Sequence, residues 1–278
     1  MKHLSSTSWL LSAVVLLCGC GGGVRASAPP SSPPSGPPSG PPTQGQNISG
    51  NWQISTTSTA LPGIPPATIV GSITQSDSSV SGVVHVDGWT CFDPQIAVGV
   101  TGTLTDGDVS LTSTSVDGQV ITFAGSISKK TGFPYALTGT YAINGGCADG
   151  DQGNVTGIEV SSISGNWAGD LTSQTGDVNR IVVTLTQGSA TPEGRYPMTG
   201  IAGFEVGTCF KEATILSGTF PSGSYIMGRA VTLEVGTDNG IITLVGTTDH
   251  GGLMEGTYTI AGGTCELTGT WYLSPWEY

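Results

Sequence analysis

The sequence predicts an all-β chain of two tandem eight-stranded antiparallel up-and-down β-barrels, from its composition, its period-two patterning and an internal repeat. Charged residues make up only 10% of the 278, against roughly 25% in ordinary soluble domains. Ser, Thr and 44 glycines take their place. Thr is β-branched and suits outward strand positions. Glycine at this level weakens helices but is tolerated in turns, bulges and tight barrel corners.

The repeat divides the body. Ile48-Ser49-Gly50-Asn51-Trp52 recurs as Ile163-Ser164-Gly165-Asn166-Trp167. Cys91-Phe92 recurs as Cys209-Phe210, Gly139-Thr140-Tyr141 as Gly256-Thr257-Tyr258, and Cys147 as Cys265. Four landmarks in one order, at nearly constant offset, indicate a duplication whose period is far longer than a solenoid unit. The expected organisation is a leader over 1–19, a tether over 20–46, and barrels over 47–161 and 162–278.

Within each copy apolar residues alternate, as in Leu137, Gly139, Tyr141 and Ile143, and polar turn clusters cut the pattern every 10–15 residues. That is the signature of antiparallel strands joined by short turns. Eight strands are expected in the first copy, over 48–56, 67–76, 79–87, 96–104, 108–116, 119–128, 134–144 and 153–161. Eight are expected again in the second, over 163–172, 179–188, 195–206, 213–221, 225–235, 239–248, 252–261 and 266–273. Closure into a barrel removes unpaired edges; a two-sheet sandwich is the alternative. Gly50-Asn51-Trp52 and Gly165-Asn166-Trp167 place a Gly-x-Trp on the first strand of each copy, and Gly269-Thr270-Trp271 stands on the last strand. In this the chain resembles the calycin group, the lipocalins and avidins, and the resemblance implies barrels. The lipocalin Arg of the last strand and the avidin biotin-binding set have no counterparts here, so the resemblance implies the fold and no ligand. Trp52, Trp167 and Trp271 are expected to plug the barrel bottoms. Narrow eight-stranded barrels with bulky interior residues favour filled interiors over hollow ones.

The N-terminus reads as an export signal. Met1-Lys2-His3 precedes the apolar run Trp9–Leu17, too short to span a bilayer. The run ends in Leu17-Cys18-Gly19-Cys20, which resembles a bacterial lipobox with Cys20 as the lipidated residue; an ordinary cleaved signal is the alternative. Gly21 after the cysteine implies sorting to the outer membrane of a Gram-negative bacterium, so the first partner expected is a membrane, through the lipid anchor. The Pro/Ser/Gly-rich segment that follows is expected to be a disordered, semi-rigid spacer.

Four cysteines then remain in an oxidising compartment. Duplication selects Cys91–Cys147 and Cys209–Cys265 among the three possible pairings, since each pair is separated by 56 residues and keeps one copy self-contained. In the barrel both cysteines of a pair fall in loops three and seven, at one mouth, where the bond restricts access.

The net charge is −12 and the acids are spread evenly over both copies, which excludes nucleic acid as a partner. No nucleophile elbow, zinc-protease helix or phosphate loop occurs, so no catalytic residue and no cofactor is expected. His85 and Asp87 share a strand face and could form a base–orienter pair, but a solvated strand face is the expected reading. Asp149, Asp151 and Asn154 offer oxygens at alternating positions, as a calcium loop requires, although a plain turn accounts for them too. Trp89, Phe92 and Asp93 beside Cys91, and Phe210 after Cys209, are the candidate ligand contacts at the mouths; the alternative is that Trp89 and Phe92 cover the disulfide and close the core. These readings leave two functional classes. One is a non-catalytic binding module for a small apolar ligand or a surface glycan; the other is a structural or adhesive envelope protein with filled barrels.

Overall fold

The computed structural model describes residues 46–60, 63, 65–89, 91–204, 213–216, 223–237, 240–249, 252–262 and 268–276. Gln44–Tyr278 forms one compact unit. Its first eight strands are β1 (Gly50–Ser58), β2 (Thr68–Ser76), β3 (Ser79–Asp87), β4 (Val98–Thr105), β5 (Asp108–Ser113), β6 (Val120–Lys129), β7 (Tyr135–Asn144) and β8 (Gln152–Val160). Each pairs antiparallel with the next, and β8 returns to β1, with Asn51 opposite Val160, to close the barrel.

The second barrel runs through β9 (Gly165–Ser173), β10 (Val178–Gln187), β11 (Tyr196–Phe204), β12 (Ala213–Leu216), β13 (Tyr225–Met227), β14 (Ala230–Thr237), β15 (Gly240–Thr248), β16 (Met254–Ala261) and β17 (Thr268–Pro275). It closes through β17 on β9 and β10 on β11. Both barrels are all-antiparallel and eight-stranded, because β12 and β13 are two pieces of one strand position between β11 and β14.

That interruption corrects the expected fourth and fifth strands, 213–221 and 225–235. Gly200 faces Ile215, yet Pro197, three residues earlier on β11, faces Tyr225, so the register steps by seven residues. The expected fifth strand is broken at Gly228, whose φ of 56° lies in the left-handed region. Met227 pairs with Ala230 across it, making Gly228-Arg229 a two-residue hairpin turn.

Inward side chains fill both interiors, from Ile54, Ile69 and Phe123 in the first barrel to Leu171, Leu233 and Tyr258 in the second. The repeated Ile-Ser-Gly-Asn-Trp segment closes the same end of each. The Trp52 indole donates to the Ile48 carbonyl at 2.9 Å, and Trp167 donates to Ile163 at 2.9 Å. Ser49 Oγ accepts from the Gln75 backbone N–H, as Ser164 Oγ does from Gln187, both at 2.9 Å. Trp271 stands apart from these plugs. It pairs with Leu171, four residues further along β9 than Trp167, and with Gly256. Its ring lies over Gly246, where a Cβ would come within 2.8 Å of it. It fills the middle of the barrel rather than the bottom.

Candidate functional site

The mouth of the first barrel, opposite Trp52, is shut by its own loops. Cys91, after β3, is bonded to Cys147, after β7. Trp89 packs on Phe92 at 5.5 Å and on Tyr141 at 5.2 Å between ring centroids. Trp89 and Phe92 are each 6% exposed and belong to the core, so they cover the disulfide and present no free aromatic face. Gln119, between β5 and β6, completes the seal: its amide donates to the Cys91 carbonyl at 3.0 Å and accepts from the Ala148 N–H at 3.1 Å. Asp93 is exposed and accepts from the Gln95 N–H, folding its own turn.

The acidic loop does not converge. Asp149 accepts from the Gly145 N–H at 2.7 Å. Asp151 turns inward and accepts from Ser58 Oγ at 2.6 Å and from the Tyr141 hydroxyl at 3.1 Å. Burial, then the bond to Asp151, pushes the Tyr141 hydroxyl up to about 12. Asn154 is exposed on β8. Among the described residues no group of three or more His, Cys, Asp or Glu could hold a metal ion. Cys20, Cys209, Phe210 and Cys265 lie outside the described residues.

The constellation that the structure does assemble lies where the barrels meet. Two elements at the Trp167 end of the second barrel dock on the outer wall of β1–β3. The first is the eight-residue connection Gly188–Arg195. Its Gly194 has φ 76°, and a Cβ there would meet the Val83 carbonyl oxygen at 2.5 Å; only glycine allows so close an approach. The second is the Gly228-Arg229 turn. Asn51, 2% exposed, grips the Gly228 peptide from both sides: its Nδ2 donates to the carbonyl at 2.8 Å and its Oδ1 accepts from the N–H at 2.7 Å. Gln53 Oε1 accepts from the Arg229 N–H at 2.9 Å.

His85 joins the same contact. Its position on β3 points outward, and a solvated face was expected, yet it is 3% exposed because the second barrel's connection covers it. Nδ1 is 2.9 Å from the Pro94 carbonyl oxygen and Nε2 is 2.8 Å from that of Glu193. A neutral imidazole donates to only one of these acceptors at a time. Asp87, its expected partner, stays exposed.

Beside these contacts opens a cleft of about 480 Å³. The first barrel contributes Gln53, Asp87 and Gln95 to its wall, and the second contributes Arg195, Tyr225 and Arg229. Arg195 is 4% exposed, with its guanidinium 5.3 Å over the Tyr225 ring. Burial pushes this guanidinium below its ordinary range, while Tyr225 and Glu193 pull the other way. Arg229 is half-buried, and its Nε donates to the Thr248 carbonyl at 2.6 Å. The cleft offers hydrogen-bonding groups of both kinds. Sequence reasoning missed it because each wall belongs to a different copy. Of the expected contact region, among the described residues, Pro94 and Gln95, just after Asp93, reach it. No protein-family model matches the chain, and no curated protein matches its sequence.

Proposed function

We propose that this protein is a non-catalytic binding module of the bacterial cell envelope, exported and lipid-anchored through Cys20, which holds a surface glycan in the cleft between its barrels. The observation that carries the reading is the cleft itself. Its volume of about 480 Å³ falls in the range of small-molecule sites. Amides, a carboxylate, guanidinium groups and a phenol there match the hydroxyls of a sugar, and Met227, Val70 and Pro94 offer apolar surface for its C–H faces. The shut mouth of the first barrel argues against an apolar ligand inside it.

The test is a glycan array probed with the mature, lipid-anchored protein in detergent micelles. A retained saccharide whose binding falls at least tenfold in Gln95→Ala supports the reading, because Gln95 is exposed and its loss spares the fold. No retained saccharide, or binding unchanged in Gln95→Ala and Ala230→Trp, refutes it. The second reading, a structural or adhesive envelope protein, is favoured by the packed interiors and the docked barrels, and a blank array would leave it standing.

A further inference from the structure

The charges of the cleft run against those of the chain. Twenty acids face eight bases over the whole sequence, and residues 46–278 contain three arginines, Arg180, Arg195 and Arg229. Two of the three line this one cleft. Four other surface concavities are walled by Thr, Ser, Gly, Asn, Gln, aromatic and aliphatic residues, with Glu255 in one and Asp108 in another as their charged groups. None of these four contains a Lys, Arg or His among its lining residues.

The two arginines are placed by the same device. Each follows the glycine at which the second barrel touches the first, in Gly194-Arg195 and Gly228-Arg229. The approach that locks the barrels together therefore also sets both guanidinium groups on the cleft wall. Arg229 spends Nε on the Thr248 carbonyl, which orients the plane of its guanidinium. A guanidinium taken out of water gains most from an anionic acceptor, and its planar fork matches a carboxylate. Asp87 lies on the wall that the first barrel contributes, and Glu193, outside the lining, stands two residues before Arg195 in the connection. Among the lining residues two arginines face the single acid Asp87, which suits one carboxylate within the cleft.

We infer that the cleft selects an acidic sugar, a uronic-acid residue whose carboxylate is held by Arg195 and Arg229 while Asp87, Gln53 and Gln95 take its hydroxyls. This rests on the glycan-binding reading above and names the class of glycan. Phosphate chemistry fits less well, because a sugar phosphate carries more charge than the pair offsets once Asp87 is counted.

Calorimetry on the mature, lipid-anchored protein tests it, with oligogalacturonate, oligoglucuronate, their methyl esters and the neutral oligogalactoside as probes. The free monosaccharide acids form a further arm that separates a chain from a lone residue. At least one acid oligomer is expected to bind at least tenfold more tightly than its ester, and to weaken as salt rises. Arg229→Gln should remove most of that preference and Arg229→Lys restore part of it. Ala230→Glu, at an exposed position on the rim, should weaken the acid more than its ester. Equal affinity for acid, ester and neutral oligomer overturns the inference and leaves the glycan reading intact. Binding of none of them, with a blank array, overturns both.

Discussion

Asn51 and Asn166 occupy the same place in the repeated segment and do different work, which makes them a matched pair of probes. Asn51 is buried and holds both polar groups of the Gly228 peptide, at 2.8 and 2.7 Å. In Asn51→Ala that N–H and C=O stay inside the junction without partners. An orphaned buried group costs about 1–3 kcal/mol, so two of them at about 1–2 kcal/mol each, the lower part of that range for an edge that water can reach after truncation, should cost about 2–4 kcal/mol. At roughly 2–4 °C per kcal/mol for a chain of this size, the melting temperature should fall by roughly 5–15 °C. Asn51→Asp should be at least as damaging, since a carboxylate oxygen would face the Gly228 carbonyl. Asn166 is exposed and accepts from the Thr184 hydroxyl at 2.9 Å; its change to Ala should cost under about 0.5 kcal/mol. Calorimetric unfolding measures all three variants, and loss of coupling should also split a single transition into two. If Asn51→Ala and Asn166→Ala shift the transition equally, the junction is not held as argued.

Replacing Cys91 and Cys147 together by Ala should destabilise the first barrel by about 4 kcal/mol, read by urea unfolding under non-reducing conditions, and non-reducing peptide mapping should recover the Cys91–Cys147 peptide. Tyr141 and Tyr196 are both pushed up to about 12, first of all by burial. A raised tyrosine pKa means that the folded state keeps its proton more tightly than the unfolded chain, so this stability is whole below pH 10 and is lost as pH rises from 10 through 12. Tyr141→Phe should flatten part of that decline in alkaline unfolding series. In a Gram-negative host an alkyne fatty acid should label the wild type and not Cys20→Ala; equal labelling of both refutes the anchor.

The barrels were legible because both of their signals are local or repeated. Alternation gives strands wherever turns punctuate it, and a duplicated Gly-Asn-Trp marks where each barrel starts. The reading failed over 213–227, where one strand position is assembled from β12 and β13 with a seven-residue step in register. Gly228 sits inside an apolar, β-branched run, so nothing in its neighbours announces a hairpin turn. Trp89 and Phe92 leave two readings open in sequence, a ligand surface or a cover over the disulfide, and packing spends them on the core. The cleft was invisible because Gln53 and Arg229 are 176 residues apart and meet only through docking. The faint signal was compositional, two of three body arginines each preceded by glycine.

What joins the barrels is what the duplication did not keep equal. Gln53 supports the Arg229 turn, and its counterpart in the second copy is Ala168, which has no side-chain amide to offer. The connection that lies on His85 has eight residues, whereas the corresponding connection in the first barrel is the two-residue turn Asp77-Ser78. Each copy kept the elements that close its own end, the Ile-Ser-Gly-Asn-Trp plug and the glutamine that braces it. The copies diverged at the wall and the loops that face one another. Such an interface is heterologous, one barrel's end against the other's side, and it occurs once per chain. Among the described residues packed apolar side chains line both interiors, whereas an end set against a side leaves a gap along its rim. The gap inherits side chains from both copies, so the duplication supplied a cleft that neither barrel could form alone.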